Sequence, residues 1–473
     1  MTRAAVLACS LAAAALLSFR PIYEPDLWWH LAQGRENAAG HLVRTNLFSF
    51  TYPDYRQPYH SWLFDLACYL AWQALGATGI QVLQAVFITL TLLTLFAACR
   101  IRAPAWSAAA ILAIGLFVLE PRAIPRPHLF SFAAFAACTL LIETAAARRS
   151  AAPLWWAVAL VGLWSNAHVE CVFGVVLLFA FAASEWVWPR RLPHAEVGRA
   201  MKIAMAAAAA TLLNPYGWGL WQYLYENLSV QGVVAIAELL PPSWPGYRAF
   251  YAYVALTGVL LIADRRGFAW SDAVVFGVFA AFGLLHLRET PLVLCVTAPL
   301  AAQRLAGLTA RGLDYRAILA TSVCAALALS RIPPPVLLRG FAIGAEAVEP
   351  PQFFSSSAID FARRTGLSGP VFTSVNLGGY IAWKMYPAAR IFQDTRFQAY
   401  PPDHFRTTVA ASGSQDKWNR LVSGVDWAMV SVPRPNQLSG AGRFPVSEWR
   451  SVYQDDAIEI VVRRAGRFGA VGK

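Results

Sequence analysis

The stretch Glu24-Pro25-Asp26-Leu27-Trp28-Trp29-His30 follows the first apolar run, and the rest of the chain is read outward from it. It places two carboxylates, two indoles and an imidazole where a membrane helix would emerge into an interface. A helix begun after Pro25 puts Asp26 and His30 four residues apart on one face. Amphipathic rings are comfortable at headgroup depth, so Trp28 and Trp29 read as interfacial residues.

Composition agrees with a membrane setting. Of 473 residues, 57% are hydrophobic and 14% charged, whereas soluble domains carry about a quarter charged residues. The class is an α-helical polytopic membrane protein. A net charge of +12 could indicate nucleic acid in a soluble protein. Here the arginines cluster between apolar runs, as topology-setting charges do, so no nucleic-acid partner is expected. All seven cysteines lie in apolar stretches and none lies beyond Cys324, so the tail has no disulfide framework.

Apolar runs mark spans at 4–19, 80–99, 103–119, 129–147, 151–165, 169–188, 200–213, 250–263, 270–287, 290–306 and 317–332. Several fall short of the ~20 residues that cross a bilayer, so their ends extend into the flanks. The run 60–75 is the ambiguous one, and charge decides it. If it lies at the interface, Arg100/Arg102, Arg148/Arg149, Arg190/Arg191/Arg199/Lys202, Arg265/Arg266 and Arg311/Arg316 all share one side. That gives eleven spans, a cytoplasmic N-terminus and an outer C-terminus. Seven of the eight histidines (30, 41, 60, 128, 168, 286 and 404) then face outward, with Asp26, Asp54, Glu120, Arg122, Arg126, Asn166, Glu170, Asn214, Glu226, Glu238, Arg288 and Glu289. Ionisable groups at membrane depth are costly and are usually functional.

Residues 1–335 therefore read as the membrane domain, with a structured first outer loop at 20–79. Residues 336–473 read as a soluble α/β domain outside the membrane. Within it, Val371–Thr373, Arg390–Phe392, Trp427–Ser431 and Ile458–Val462 are expected as strands. Ser355–Arg364, Gly379–Met385 and the region around Trp418–Val422 are expected as helices.

Individual motifs carry two readings each. Asp26 suits a general base or metal ligand, or a plain helix-start acid beside tryptophan anchors. Arg126-Pro127-His128, with Arg122 before it, suits a lipid phosphate, because guanidinium groups pair bidentately with phosphate; headgroup snorkelling is the alternative. Trp164-Ser165-Asn166-Ala167-His168-Val169-Glu170 spaces His168 and Glu170 for a proton relay or a metal, although a metal needs further ligands. His286, Arg288 and Glu289 either join the site or pair with one another. Asn376-Leu377-Gly378-Gly379-Tyr380 can form a phosphate-binding turn, and Gln393-Asp394-Thr395-Arg396 reads as a strand-end Asp–Arg pair. The sequence shows no Walker motif, dinucleotide fingerprint, nucleophile elbow, CxxC or HExxH.

The order of a first helix, an acid, an aromatic loop, the Pro58-Tyr59-His60-Ser61-Trp62-Leu63 helix start and Ile80–Cys99 resembles the polyprenyl-phosphate-sugar-dependent membrane glycosyltransferases of the GT-C fold. Their protein mannosyltransferase and aminoarabinose transferase branches are included. The chain is also similar to a large group of bacterial polytopic membrane proteins, through Pro25–Leu31, Phe48-Ser49-Phe50-Thr51, Arg126–Leu129, Trp164–His168, Asn214–Gly217, Gly378-Gly379-Tyr380 and Asp394-Thr395-Arg396. It departs from that group at Val169-Glu170 and at Thr395, where Gly is usual.

The resemblance implies sugar transfer from a lipid-linked donor to a glycan, lipid or protein acceptor at the outer face of the inner membrane. Asp26 would be the base, helped by His30, His60 or His168. Arg122, Arg126, His128, Asn166, Glu170, Arg288, Trp28 and Trp29 would bind substrate and surrounding lipid. The sequence assigns no cofactor, and Mg²⁺ or Mn²⁺ held by Asp26, His168 and Glu170 is an open variant. The rival readings are a non-catalytic assembly scaffold for envelope glycans and, less well supported, a transporter. A transporter would show midplane polar sites and repeats.

Overall fold

The structure is a computed structural model that describes residues 3–56, 60–230, 237–263, 269–309, 314, 341–432 and 444–472. Its first part is helical: α1 (Arg3–Ser18), α2 (Asp26–Ala38), α3 (Trp62–Leu75), α4 (Ala77–Arg102), α5 (Ala105–Leu119), α6 (His128–Arg148), α7 (Trp155–Trp164), α8 (Cys171–Val187), α9 (His194–Ala210), α10 (Gly219–Val230), α11 (Arg248–Ala263), α12 (Trp270–Leu285) and α13 (Thr290–Thr309). A helix lies at each expected apolar run within the described residues. The run 317–332 lies outside them.

Contacts divide the chain into two compact units. One comprises Met1–Arg20, Gln81–Leu220 and Ala235–Phe341; the other comprises Pro21–Ile80, Trp221–Val234 and Ala342–Lys473.

In the first unit, four helical segments among the described residues are long and apolar enough to cross a membrane: Ala77–Arg102, Ala105–Arg122, His128–Arg148 and Leu287–Leu308. The helix α13 is the core element, with Val293, Leu294, Cys295, Ala298, Ala301 and Ala302 fully buried. Its alanines let neighbouring backbones come close, as packing without a hydrophobic driving force requires. By contrast α4 exposes Val82, Val86 and Leu90 at four-residue spacing, an apolar stripe of the kind lipid covers. Exposed Trp155 and Trp156 start α7, exposed Trp186 ends α8 and exposed Trp270 starts α12, all beside the arginine-rich connections. Amphipathic rings collect at such helix ends where a membrane meets water.

Those connections are not merely positive. Arg102 Nε lies 2.6 Å from Glu143 Oε2, and its two terminal nitrogens lie 3.1 and 2.8 Å from the Asp272 carboxylate. Arg191 Nη2 also reaches Glu143 Oε2 at 2.6 Å. Four charges thus tie together α4, α6, α12 and the segment after α8.

In the second unit α2 packs against α3, and the tail adds α14 (Ala345–Val348), α15 (Ser356–Arg364), β1 (Gly369–Thr373), α16 (Val375–Met385), β2 (Ala389–Ile391), α17 (Pro402–Ala411), α18 (Gln415–Leu421), β3 (Trp427–Ser431), β4 (Trp449–Gln454) and β5 (Ile458–Arg463). The sheet order is β2-β1-β3-β5-β4. The first three strands are parallel, and β5 and β4 join antiparallel. Phe372, Trp418, Val430, Phe444 and Trp449 form the core of the sheet.

The aromatic loop of residues 45–51 completes this sheet. The Phe50 amide donates to the Ile391 carbonyl at 3.1 Å, and the Ile391 amide donates to the Phe48 carbonyl at 2.9 Å. The loop therefore covers the β2 edge, which would otherwise present unpaired backbone groups.

Three expectations change. In the tail, strand β4 and helices α14 and α17 are additional to the expected elements. Gly378 and Gly379 lie inside α16 rather than in a phosphate-binding turn ahead of it. Trp28 and Trp29 are buried, so they are packing residues rather than exposed anchors; Trp28 sits edge-on to Trp72, Phe354 and Tyr380.

Candidate functional site

In the helical unit, one cluster gathers most of the polar residues singled out in the sequence. Arg122 ends the short 3₁₀ turn after α5, and His128 begins α6. Both guanidinium groups reach one oxygen of Glu238, with Arg122 Nη1 at 2.8 Å and Arg126 Nη1 at 2.5 Å. Burial would raise the Glu238 carboxyl, but Arg126, Arg122 and Arg288 outweigh it and hold its pKa well below the carboxylate range. His128 Nε2 lies 2.7 Å from the Arg122 carbonyl, and Arg122 Nη2 lies 3.4 Å from His128 Nδ1. A carbonyl only accepts and a guanidinium only donates, so this geometry assigns a neutral ring protonated at Nε2.

The turn between α7 and α8 supplies the second half of the cluster. Arg288 donates from Nε to Glu170 Oε1 at 3.0 Å and from Nη2 to His168 Nε2 at 2.8 Å. His168 Nδ1 lies 2.8 Å from Ser131 Oγ and 3.2 Å from Glu170 Oε2. The same donor logic places the His168 proton on Nδ1. Burial, outweighing the neighbouring Glu170 carboxylate, lowers the His168 pKa below its ordinary value. Trp164 Nε1 donates to Ser131 Oγ at 2.9 Å and so fixes that hydroxyl beside His168 Nδ1. Asn166 serves the scaffold: its amide bridges the Gly162 and Leu213 carbonyls, both at 2.8 Å.

Asp26, His30, His60, Trp28 and Trp29 belong to the other unit. Asp26 is the first residue of α2, its amide donates to Glu24 Oε1 at 3.0 Å, and its carboxylate accepts from the Thr395 hydroxyl. His30 is engaged elsewhere, with Nδ1 2.6 Å from Asp65 Oδ1 and both side chains buried. Burial pushes the Asp65 carboxyl well above its usual range. The His60 ring lies 4.1 Å from that of Tyr223. The strand-end pair is present, with Arg396 Nε 2.8 Å from Asp394 Oδ2, and Arg396 Nη2 also reaches Asn46 Oδ1 at 2.9 Å.

Asp65, Asn46 and the Thr395 contact were not legible in the sequence, because each depends on a partner tens or hundreds of residues away. Asp65 had one signal, a lone carboxylate in the apolar run 60–75.

Among the described residues, no group of three or more His, Cys, Asp or Glu side chains is placed to hold a metal ion. Arg288 already engages donor atoms of both His168 and Glu170, and a guanidinium there opposes a second cation. These two residues do not fit a divalent ligand pair.

The fold is similar to that of several solved structures. The oligosaccharyltransferase AglB from Archaeoglobus fulgidus, in complex with an inhibitory peptide and a dolichol-phosphate, matches 90% of this chain and 69% of its own, with TM-score 0.63 and 12% identity. ArnT from Cupriavidus metallidurans bound to undecaprenyl phosphate matches 98% of both chains, with TM-score 0.54 and 14% identity. The Archaeoglobus oligosaccharyltransferase in complex with Zn and sulfate matches 90% of this chain and 67% of its own, with TM-score 0.55 and 11% identity. At these identities the likeness shows the fold alone. Compared by sequence, the chain matches no family model and no curated protein.

Proposed function

We propose that the chain is a multi-pass glycosyltransferase of the bacterial inner membrane, moving a sugar from a polyprenyl-phosphate-linked donor to an acceptor at the outer face. The observation that carries this reading is the grouping of Arg122, Arg126 and Arg288 with two uncharged imidazoles at one end of a helical unit of GT-C architecture. AglB and ArnT, which share that architecture, bind dolichol-phosphate and undecaprenyl phosphate, and this supports a lipid phosphate as the ligand here. Arg122 and Arg126 would exchange Glu238 for the donor phosphate. In this reading residues 1–335 cross the membrane eleven times, with the N-terminus inside, and residues 336–473 lie outside.

Asp26 takes the proton from an acceptor hydroxyl as the acceptor oxygen bonds to the anomeric carbon. The bond from that carbon to the phosphate oxygen breaks, and polyprenyl phosphate leaves with the electron pair. General-base help contributes about 10²–10⁴-fold. Asp26→Asn should lose that factor in transfer from a radiolabelled undecaprenyl-phosphate sugar while keeping donor binding. Full transfer by the Asn variant would remove Asp26 from the chemistry. Transfer that is lost to a chelator and restored by Mn²⁺ or Mg²⁺ would add a metal to the reaction.

The carboxylate pairing of all three arginines favours the scaffold reading as an alternative, since a balanced cluster also serves as a structural tie. That reading predicts no saturable binding of any polyprenyl phosphate.

A further inference from the structure

Two motifs remain unused by that function, Gly378-Gly379 and Asp394-Thr395-Arg396, and the fold brings both to the start of α2. Thr395 follows β2, and its hydroxyl donates to Asp26 Oδ1. The loop on either side of it is pinned. The Thr373 hydroxyl donates to the Gln393 carbonyl at 2.8 Å, the Arg396 amide donates to Asp394 Oδ1 at 3.0 Å, and Arg396 continues to Asn46. Asp394 and Arg396 are buried.

The glycines set how closely these parts approach. A Cβ on Gly378 would lie 2.0 Å from the Gln393 carbonyl oxygen and 2.7 Å from Asp394 Cβ. One on Gly379 would lie 3.1 Å from the Trp29 amide nitrogen and 3.2 Å from the Pro25 carbonyl oxygen. Helix α16 therefore touches the Thr395 loop with one glycine and the Asp26 turn with the next. No larger residue fits at Gly378 without moving backbone.

We infer that Thr395 is a positioning residue for Asp26, presented by the C-terminal sheet, and that Gly378-Gly379 fixes the register between them. The inference rests on the reading of Asp26 as the base. A hydroxyl donor aimed at one carboxylate oxygen orients the group.

The test uses the full-length protein in detergent: wild type, Thr395→Val, Thr395→Ser and Asp26→Asn. Dicyclohexylcarbodiimide, which reacts at carboxyl oxygens, labels the protein at one fixed pH. Mass spectrometry reads the Asp26 peptide against the exposed Asp403 as internal reference. Thr395→Val should label Asp26 about tenfold faster, because the carboxylate oxygen held by the Thr395 hydroxyl is released. Thr395→Ser should label at the wild-type rate. Equal labelling in wild type and Thr395→Val overturns the inference, whatever the enzyme does.

Transfer from radiolabelled undecaprenyl-phosphate sugars is the second arm. Thr395→Val should lower turnover about tenfold without changing donor affinity, and it should cost nothing further on an Asp26→Asn background. Full transfer by Asp26→Asn would defeat the base reading while leaving the labelling result to judge the Thr395 contact.

Discussion

Arg288 Nη2 lies 2.8 Å from His168 Nε2, and because a guanidinium has no lone pair to offer, that imidazole is neutral with its proton on Nδ1. Burial, the largest influence, and then Arg288 and Arg122 lower the His168 pKa against the pull of Glu170. The His168 resonance in ¹³C-histidine-labelled protein, assigned by its loss in His168→Gln, should stay fixed between pH 7.5 and 6.5. In Arg288→Met it should begin to titrate. Titration at the ordinary histidine pH in the wild type would contradict the arrangement.

The arginine-rich end of the helical unit holds a buried network rather than free topology charges. Arg102→Met leaves Glu143 and Asp272 without their principal cation, and breaking one side of a buried pair costs about 3–5 kcal/mol. Thermal unfolding in detergent should show a large drop for Arg102→Met. The exposed Arg148→Met should unfold like the wild type.

The turn between β4 and β5 makes stability sensitive to acid. Burial would raise the Asp455 carboxyl, but Ser355, Tyr453 and the amides of Ile458 and Ala457 outweigh it and lower its pKa from 3.8. A folded-state pKa below the unfolded one contributes stability that is complete above pH 3.8 and is lost as the pH falls through the folded value. Wild type should therefore lose stability below about pH 4 more steeply than Asp455→Asn, as read by thermal midpoints.

The Thr45–Thr51 loop should behave as part of the tail sheet. Hydrogen exchange at Phe50 should be as slow as at Ile391, because each amide closes a bond across the same edge. Fast exchange at Phe50 with slow exchange at Ile391 would separate the loop from the sheet.

Much of this was readable in the sequence. Apolar runs located the helices because length and hydrophobicity survive any packing. The short β-rich runs Val371–Thr373 and Trp427–Ser431 marked strands. Arg122, Arg126, His128, His168, Glu170 and Arg288 were marked by being polar beside apolar segments. What stayed hidden were partners. Glu238 looked like any loop acid, yet it bridges two arginines more than a hundred residues earlier. Gly378-Gly379 looked like a turn because glycine permits turns, whereas here it permits contact. Strand β4 was missed because its burial pattern lacks clean alternation, with a register shift between Ser451 and Tyr453. Trp28 and Trp29 resembled interface anchors because the sequence could not show the aromatic partners that bury them.

Direct binding tests whether the arginine cluster of the helical unit takes a polyprenyl phosphate. A panel of radiolabelled undecaprenyl-phosphate sugars would be titrated onto purified wild type and Arg126→Ala, with Arg148→Ala as a control. Saturable binding of one sugar, weakened about tenfold or more by Arg126→Ala and unchanged by Arg148→Ala, is the predicted result. Absence of saturable binding in the wild type, or equal binding by wild type and Arg126→Ala, would contradict it.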